Sequence, residues 1–173
     1  MACEGVHIRP AKHGDLGAIA EIFAYYVRSS AVTFAETPPT VTDWQRRFFD
    51  LKARQLPILV AMVNGKVAGY AYAGPWRPKP AYRHTVDTAY LAPERTGQGL
   101  RRLLLDDLLA ACARAGVRQV IAVIADTGDP RSEALHRACG FTAGGRLTSV
   151  GHKHGRFIDT LLFQRDLACG RAG

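Results

Sequence analysis

The sequence predicts an α/β fold in which one mixed sheet is flanked by helices, and three features carry that expectation. A glycine-rich segment, Pro93-Glu94-Arg95-Thr96-Gly97-Gln98-Gly99-Leu100-Arg101-Arg102, leaves the short apolar run Ala89-Tyr90-Leu91 and opens a helical stretch from Leu103 to Ala115. Two apolar runs, Ile58 to Val63 and Lys66 to Tyr72, flank Asn64-Gly65, the strongest short hairpin signal. Gln119 to Ala125 is a Val- and Ile-rich run without alternation, the pattern of a strand buried on both faces.

The elements follow in order. Val6 to Arg9 reads as a first strand, and Asp15 to Arg28 carries Leu16, Ile19, Ala20, Phe23, Ala24 and Val27 at helical spacing. After the Pro- and Thr-rich connection Ser29 to Pro39, Thr42-x-x-Gln45 reads as a capping box opening a second helix, with Trp44, Phe48 and Leu51 inward. The hairpin comes next, then an irregular loop from Gly74 to Arg83 and a central strand from Val86 to Leu91. A helix from Gly99 to Ala115 stops at Gly116. Asp129-Pro130 supplies an N-cap and a first-turn proline for a helix ending at Cys139 and Gly140. Phe141 to Val150 and Phe157 to Gln164 close the chain as paired strands. The order is βααβββαβαββ, without internal repeat, and the 173 residues are expected to form one domain, 1–173.

Met1 to Pro10 has no apolar core of a signal peptide and no run approaches membrane-span length, so a soluble cytoplasmic protein is expected. Cys3, Cys112, Cys139 and Cys169 are far apart, which argues against a zinc knuckle and a disulfide framework. The net charge of +8, from 23 Lys and Arg against 15 Asp and Glu, favours an anionic partner. The basic residues are scattered and no nucleic-acid motif accompanies them, so a phosphate-rich cofactor or an acidic small substrate is preferred to nucleic acid.

A glycine-rich turn between a strand and a helix points backbone N–H groups at one spot, which suits a phosphate. The spacing here is neither the Walker pattern nor the dinucleotide fingerprint. It resembles the pyrophosphate loop of the GCN5-related N-acetyltransferases, Arg/Gln-x-x-Gly-x-Gly/Ala, read here as Thr96-Gly97-Gln98-Gly99-Leu100-Arg101. Gly99 fits that pattern, and Thr96 and Arg101 depart from it. The likeness extends through Val32-Thr33-Phe34, Ala73-Gly74-Pro75-Trp76, Ala81-Tyr82, Asp129-Pro130, His136, Gly140-Phe141 and Lys153-His154-Gly155. In that order and spacing these pieces resemble the phosphinothricin and methionine sulfoximine acetyltransferase subfamily along almost the whole chain.

The resemblance implies the acyl-CoA N-acyltransferase fold, acetyl-CoA as co-substrate and a homodimer. It implies that the backbone of Ala89, Tyr90 and Leu91 holds the acetyl carbonyl and pantetheine arm, with Thr96, Gly97, Gln98, Gly99, Leu100, Arg101 and Arg102 around the pyrophosphate. Asp87 stands where the subfamily carries a glutamate base, yet one residue closer to Tyr90 than the pattern places it. A one-residue slip turns a strand side chain to the other face unless a bulge is lost with it. Two readings of Asp87 stand: catalytic base and exposed strand-end carboxylate. His136 takes the helix position of the residue thought to protonate the leaving thiolate, and a structural histidine is the other reading. Asp129 replaces a family asparagine, either near the cofactor or as a helix cap.

Phe34, Trp76 and Tyr82 would wall a substrate pocket, and Arg77 and Lys79 would host an anionic amino-acid substrate. The other reading is a solvated basic loop with aromatic anchors. No carboxylate falls at ligand spacing with His136, His152 and His154, so no metal is expected. The leading expectation is transfer of acetyl from acetyl-CoA to the primary amine of a small amino-acid-like compound, in a ternary complex. No nucleic-acid or membrane partner is expected. The alternatives are acetylation of another amine, or a CoA-binding fold without catalysis.

Overall fold

The computed structural model describes residues 5–93 and 99–168. Its elements are β1 (Val6–Pro10), α1 (Leu16–Ser29), α2 (Val41–Ala53), β2 (Ile58–Val63), β3 (Lys66–Pro75), β4 (Thr85–Leu91), α3 (Leu100–Arg114), β5 (Gln119–Ala125), α4 (Arg131–Ala138), β6 (Thr142–Lys153) and β7 (Arg156–Asp166). The strands form one seven-stranded sheet in the order β1-β2-β3-β4-β5-β7-β6. Only β4 and β5 run parallel. The mixed sheet is thus as the sequence predicts, and Asn64 and Gly65, with φ of 49° and 75°, make the β2–β3 turn that demands left-handed backbone.

Two apolar clusters pack on opposite faces of the sheet. On one, Leu16 and Ile19 of α1 and Trp44, Phe48 and Leu51 of α2 cover Val60 and Tyr70. On the other, Leu104, Leu105, Leu108 and Cys112 of α3 pack on Val86, Val120 and Phe163. Each such side chain taken out of water contributes roughly 1.5–3 kcal/mol, so the inward stripes of these helices hold the layers together.

The structure corrects three local expectations. The capping box of α2 is Thr40 with Asp43, not Thr42 with Gln45: Thr40 Oγ1 accepts from Asp43 N at 3.2 Å and Asp43 Oδ2 accepts from Thr40 N at 2.8 Å. A carboxylate in the first turn also complements the helix dipole, which a glutamine cannot. Asp129 is not the N-cap of α4; that position is Pro130, and Asp129 Oδ1 accepts from Arg131 N at 3.0 Å one residue outside it. Finally, β5 is not buried on both faces. Val120, Ala122 and Ile124 are buried, whereas Val123 is 48% exposed, because α1 and α2 pack over the other half of the sheet. Among the described residues no helix is long and apolar enough to cross a membrane.

Candidate active site

The site begins where β4 and β5 part. They pair from Thr85↔Gln119 to Thr88↔Ala122 and no further. Beyond that, Ala89, Tyr90 and Leu91 pair only with β3, and Val123 to Ala125 only with β7. Each side of the opening is tied back. The carbonyl of Ala92, just past β4, accepts from Tyr26 Oη at 2.9 Å and Arg101 Nε at 3.2 Å. On the β5 side, Asp126 N donates to Asp159 O at 2.9 Å, and Arg146 bridges Asp126 and Asp159 at 2.7 and 2.8 Å. The result is a slit through the sheet with a strand edge free of a neighbouring strand on one wall, able to take a chain of amides by β-type pairing.

Asp87 projects to the α1/α2 face. The β3–β4 register runs without a shift from Pro75↔Val86 to Tyr70↔Leu91, so Asp87 lies on the side of Tyr72 and Leu91. No bulge interrupts β4, so the alternation of the strand keeps the carboxylate on that face. The carboxylate is half-buried, and burial raises its pKa, opposed by a backbone hydrogen bond at Asp87 and then by attraction to Arg47 and Arg77. Among the described residues neither cation closes to a salt bridge with it.

Arg47, which sequence reading missed, comes from α2. Its Nη1 donates to Tyr72 Oη at 3.0 Å, and its guanidinium carbon lies 4.8 Å from the Trp44 ring centroid and 5.2 Å from that of Tyr72. Its only sequence signal is a position next to the inward stripe Trp44, Phe48.

Phe34 lies on the same face, across the slit. Its ring sits where a methyl on Gly151 would be, and Gly151 pairs with Ile158, whose side of the sheet alternates back to that of Asp87. Lys153, 4% exposed, fixes this wall by donating from Nζ to Thr33 O at 2.7 Å; burial lowers its pKa and Glu36 opposes that. The β3–β4 connection supplies a rim. Arg77 stacks 4.4 Å above Trp76, Lys79 precedes a 3₁₀ turn from Pro80 to Tyr82, and Tyr82 is 44% exposed.

His136 is on the opposite face, with Tyr90. It is buried, and its ring lies 5.7 Å from Tyr90 and 5.0 Å from Phe141 between centroids. Nδ1 is 2.7 Å from the carbonyl of Ser132, which can only accept, so the proton sits on Nδ1. Burial lowers the imidazole pKa, leaving a neutral ring with a lone pair on Nε2. Burial raises the pKa of Tyr90, and the Ser132 side chain opposes that rise. The Tyr90 hydroxyl therefore stays protonated. Asp87 and His136 meet only through the slit.

For the phosphate loop, Thr96, Gly97 and Gln98, with Glu94 and Arg95, lie outside the described residues. Gly99 is described: it precedes α3 with φ 100°, a conformation that a side chain would strain. Leu100 points into the core, so only its backbone can serve a ligand. Arg101 turns toward Ala92, and Arg102 pairs with Asp106 at 3.4 Å. Asp129 pairs with Arg131 at 2.7 Å and is held at a pKa of about 2 by it, with a weaker pull from Arg101. A CoA-like group fits these residues: at the slit's apex Thr88 Oγ1 is buried without a hydrogen-bond partner among the described residues, and the α3 N-terminus opens beyond the β4 edge. A separate groove of about 630 Å³ between α1 and residues 38–41 contains none of these groups.

The fold is shared with known proteins. The acetyltransferase (GNAT) family matches residues 17–141. The chain is 46% identical over 164 residues to a phosphinothricin N-acetyltransferase of Alcaligenes faecalis, covering 94% of this chain and 83% of the relative. It is 37% identical over 163 residues to an L-methionine sulfoximine/L-methionine sulfone acetyltransferase of Pseudomonas paraeruginosa, covering 92% and 94%. A crystal structure of a GNAT phosphinothricin acetyltransferase from Sinorhizobium meliloti in complex with acetyl-CoA superposes with a TM-score of 0.90 at 40% identity, covering 97% of this chain and 91% of that one. The split strands, the glycine at the head of α3 and these likenesses together place the chain in the GNAT acetyltransferase family, as an N-acetyltransferase.

Proposed function

We propose that the protein moves acetyl from acetyl-CoA to the primary amine of a small amino-acid-like substrate, of the phosphinothricin or methionine sulfoximine type, by direct attack in a ternary complex. The observation that carries this reading is the half-buried Asp87 carboxylate beside the β4–β5 slit, with Arg47 on its face and the charges of Arg47 and Arg77 felt there. Acetyl-CoA, when bound, supplies the activated acetyl group. The β4 edge at Ala89 to Leu91 would hold its amides and offer a backbone N–H to the carbonyl oxygen. Gly99 and the α3 N-terminus, with Thr96, Gly97, Gln98 and Arg101, would hold its phosphates.

Asp87, directly or through one water, takes the proton that the amine must lose to become a nucleophile. Phe34, Trp76 and Tyr82 exclude water around the amine, and Arg77 and Lys79 attract an anionic group. The leaving thiolate needs a proton, and the two groups on its face differ in what they can give. His136 has its single N–H engaged with Ser132, whereas Tyr90 holds a hydroxyl proton. Tyr90→Phe is therefore expected to lower kcat about 10- to 100-fold, and His136→Gln distinctly less, in thiol-release assays at saturating substrates. The reverse ranking would return the acid role to His136.

Thiol release from acetyl-CoA against a panel of amino acids, polyamines and aminoglycosides tests the function. Turnover confined to amino-acid-like substrates is expected, and tight CoA binding without turnover on any amine would overturn the reading. The free cysteines Cys112 and Cys139, both buried, suit a reducing cytoplasm. A homodimer is supported by the edge strand β6 and its exposed Leu147, Val150 and nearby Phe157. Light scattering is expected to give twice the 18.8 kDa chain mass, and Val150→Asp to shift it toward one chain. A monomeric wild type contradicts this.

A further inference from the structure

The cations assigned above to the substrate, Arg77 and Lys79, are on an exposed loop, but a third cation on the Asp87 face comes from a helix. We propose that Arg47 binds the substrate's carboxylate and makes the site selective for α-amino acids over amines that lack one, an inference that rests on the acetyl-transfer reading above. Between Trp44 and Tyr72, and bonded to Tyr72 Oη, the guanidinium is oriented before any ligand arrives. That removes part of the ordering cost a long cation incurs on binding.

Its remaining donors have a use to find. A guanidinium carries five N–H donors, and the bond to Tyr72 engages one. The neighbouring Tyr70 hydroxyl, stacked beside Tyr72 with rings 6.4 Å apart, is buried without a hydrogen-bond partner among the described residues, although the charge of Arg47 is felt there. A guanidinium serving the core alone would satisfy that hydroxyl. Arg47 is instead half-exposed, and it makes no salt bridge among the described residues. Asp87 and Arg47 both act on Tyr72, and the Asp87 carboxylate feels Arg47 and Arg77 without a salt bridge to either among the described residues. An α-amino acid is the complement of such an arrangement, its ammonium going to Asp87 and its carboxylate to Arg47 in a bidentate pair.

The test compares methionine sulfoximine with its decarboxylated amine, and phosphinothricin with its own, in wild type, Arg47→Met and Arg47→Lys. Rates are taken on the pH plateau, where the charge state of Asp87 is constant. Arg47→Met is expected to lower kcat/KM for the amino acids about 10- to 100-fold, chiefly through KM. The decarboxylated amines should change by less than about three-fold, and Arg47→Lys should recover part of the loss. Equal losses on both substrate types, or no loss on either, overturn the assignment to Arg47 while leaving the acetyl-transfer reading intact. A wild type that acetylates no amino acid overturns that reading and this one with it.

Discussion

Replacing Asp87 by Asn is expected to lower kcat by about 10²- to 10⁴-fold, the usual contribution of a positioned general base. The substitution keeps the size and the strand position but removes the proton acceptor. Acetyl-CoA binding, which the proposal places on the β4 edge and the α3 N-terminus, should be unaffected. The pH profile carries the sharper signature. Burial raises the Asp87 carboxyl above its ordinary 3.8, and Arg47 and Arg77 pull it back without cancelling the rise. As pH falls through that raised value the carboxylate is protonated and stops accepting, so wild-type kcat/KM should fall on an acid limb above the ordinary carboxylate range. The Asn variant should lack that limb. Near-wild-type turnover of Asp87→Asn across pH would remove Asp87 from the mechanism.

The largest stability effect is expected at Gly69. β3 bulges between its pairings Ala61↔Gly69 and Met62↔Val67, and there it passes under the end of β4. A Cβ on Gly69 would lie 2.9 Å from Ala92 Cβ, 3.0 Å from Leu91 O and 3.1 Å from Leu104 Cδ1. One of those neighbours is backbone and the others are core, so none can swing away. Gly69→Val should cost about 3 kcal/mol, at the upper end for overpacking, and lower Tm by roughly 6–12 °C in a chain of this size. Because Ala92 anchors the β4 side of the slit through Tyr26 and Arg101, KM for acetyl-CoA should rise as well. A variant with unchanged Tm would show that β3 and β4 can separate there without cost.

Local chemistry made much of this fold readable. The Asn64-Gly65 turn requires left-handed backbone at both positions, and few residue pairs other than Asn-Gly accept it, so the hairpin was legible. The inward stripe Trp44, Phe48, Leu51 was legible because burial repeats with the helix period. Placement that depends on distant partners was not. The exposure of Val123 follows from where α1 and α2 end across the sheet, which a run of Val and Ile does not encode. The face of Asp87 turned on whether β4 carries a bulge, and only the uninterrupted register with β3 decides that. Arg47 looked like one more polar residue on α2, since its partner Tyr72 is 25 residues away. The tautomer of His136 likewise depends on the carbonyl of Ser132 and the rings around it, and the proposed proton-donor role of Tyr90 rests on that tautomer.

In the proposed reaction the amine is delivered to Asp87 on the α1/α2 face and reaches the acetyl group through the slit between β4 and β5. A crystal structure with CoA and methionine sulfoximine bound together tests it most directly. The amine nitrogen is expected within hydrogen-bond reach of the Asp87 carboxylate, roughly 2.6–3.2 Å or one water away, with the thiol against the β4 edge at Ala89 to Leu91. An amine bound on the His136 face, or one far from Asp87 while the thiol occupies the slit, would contradict it.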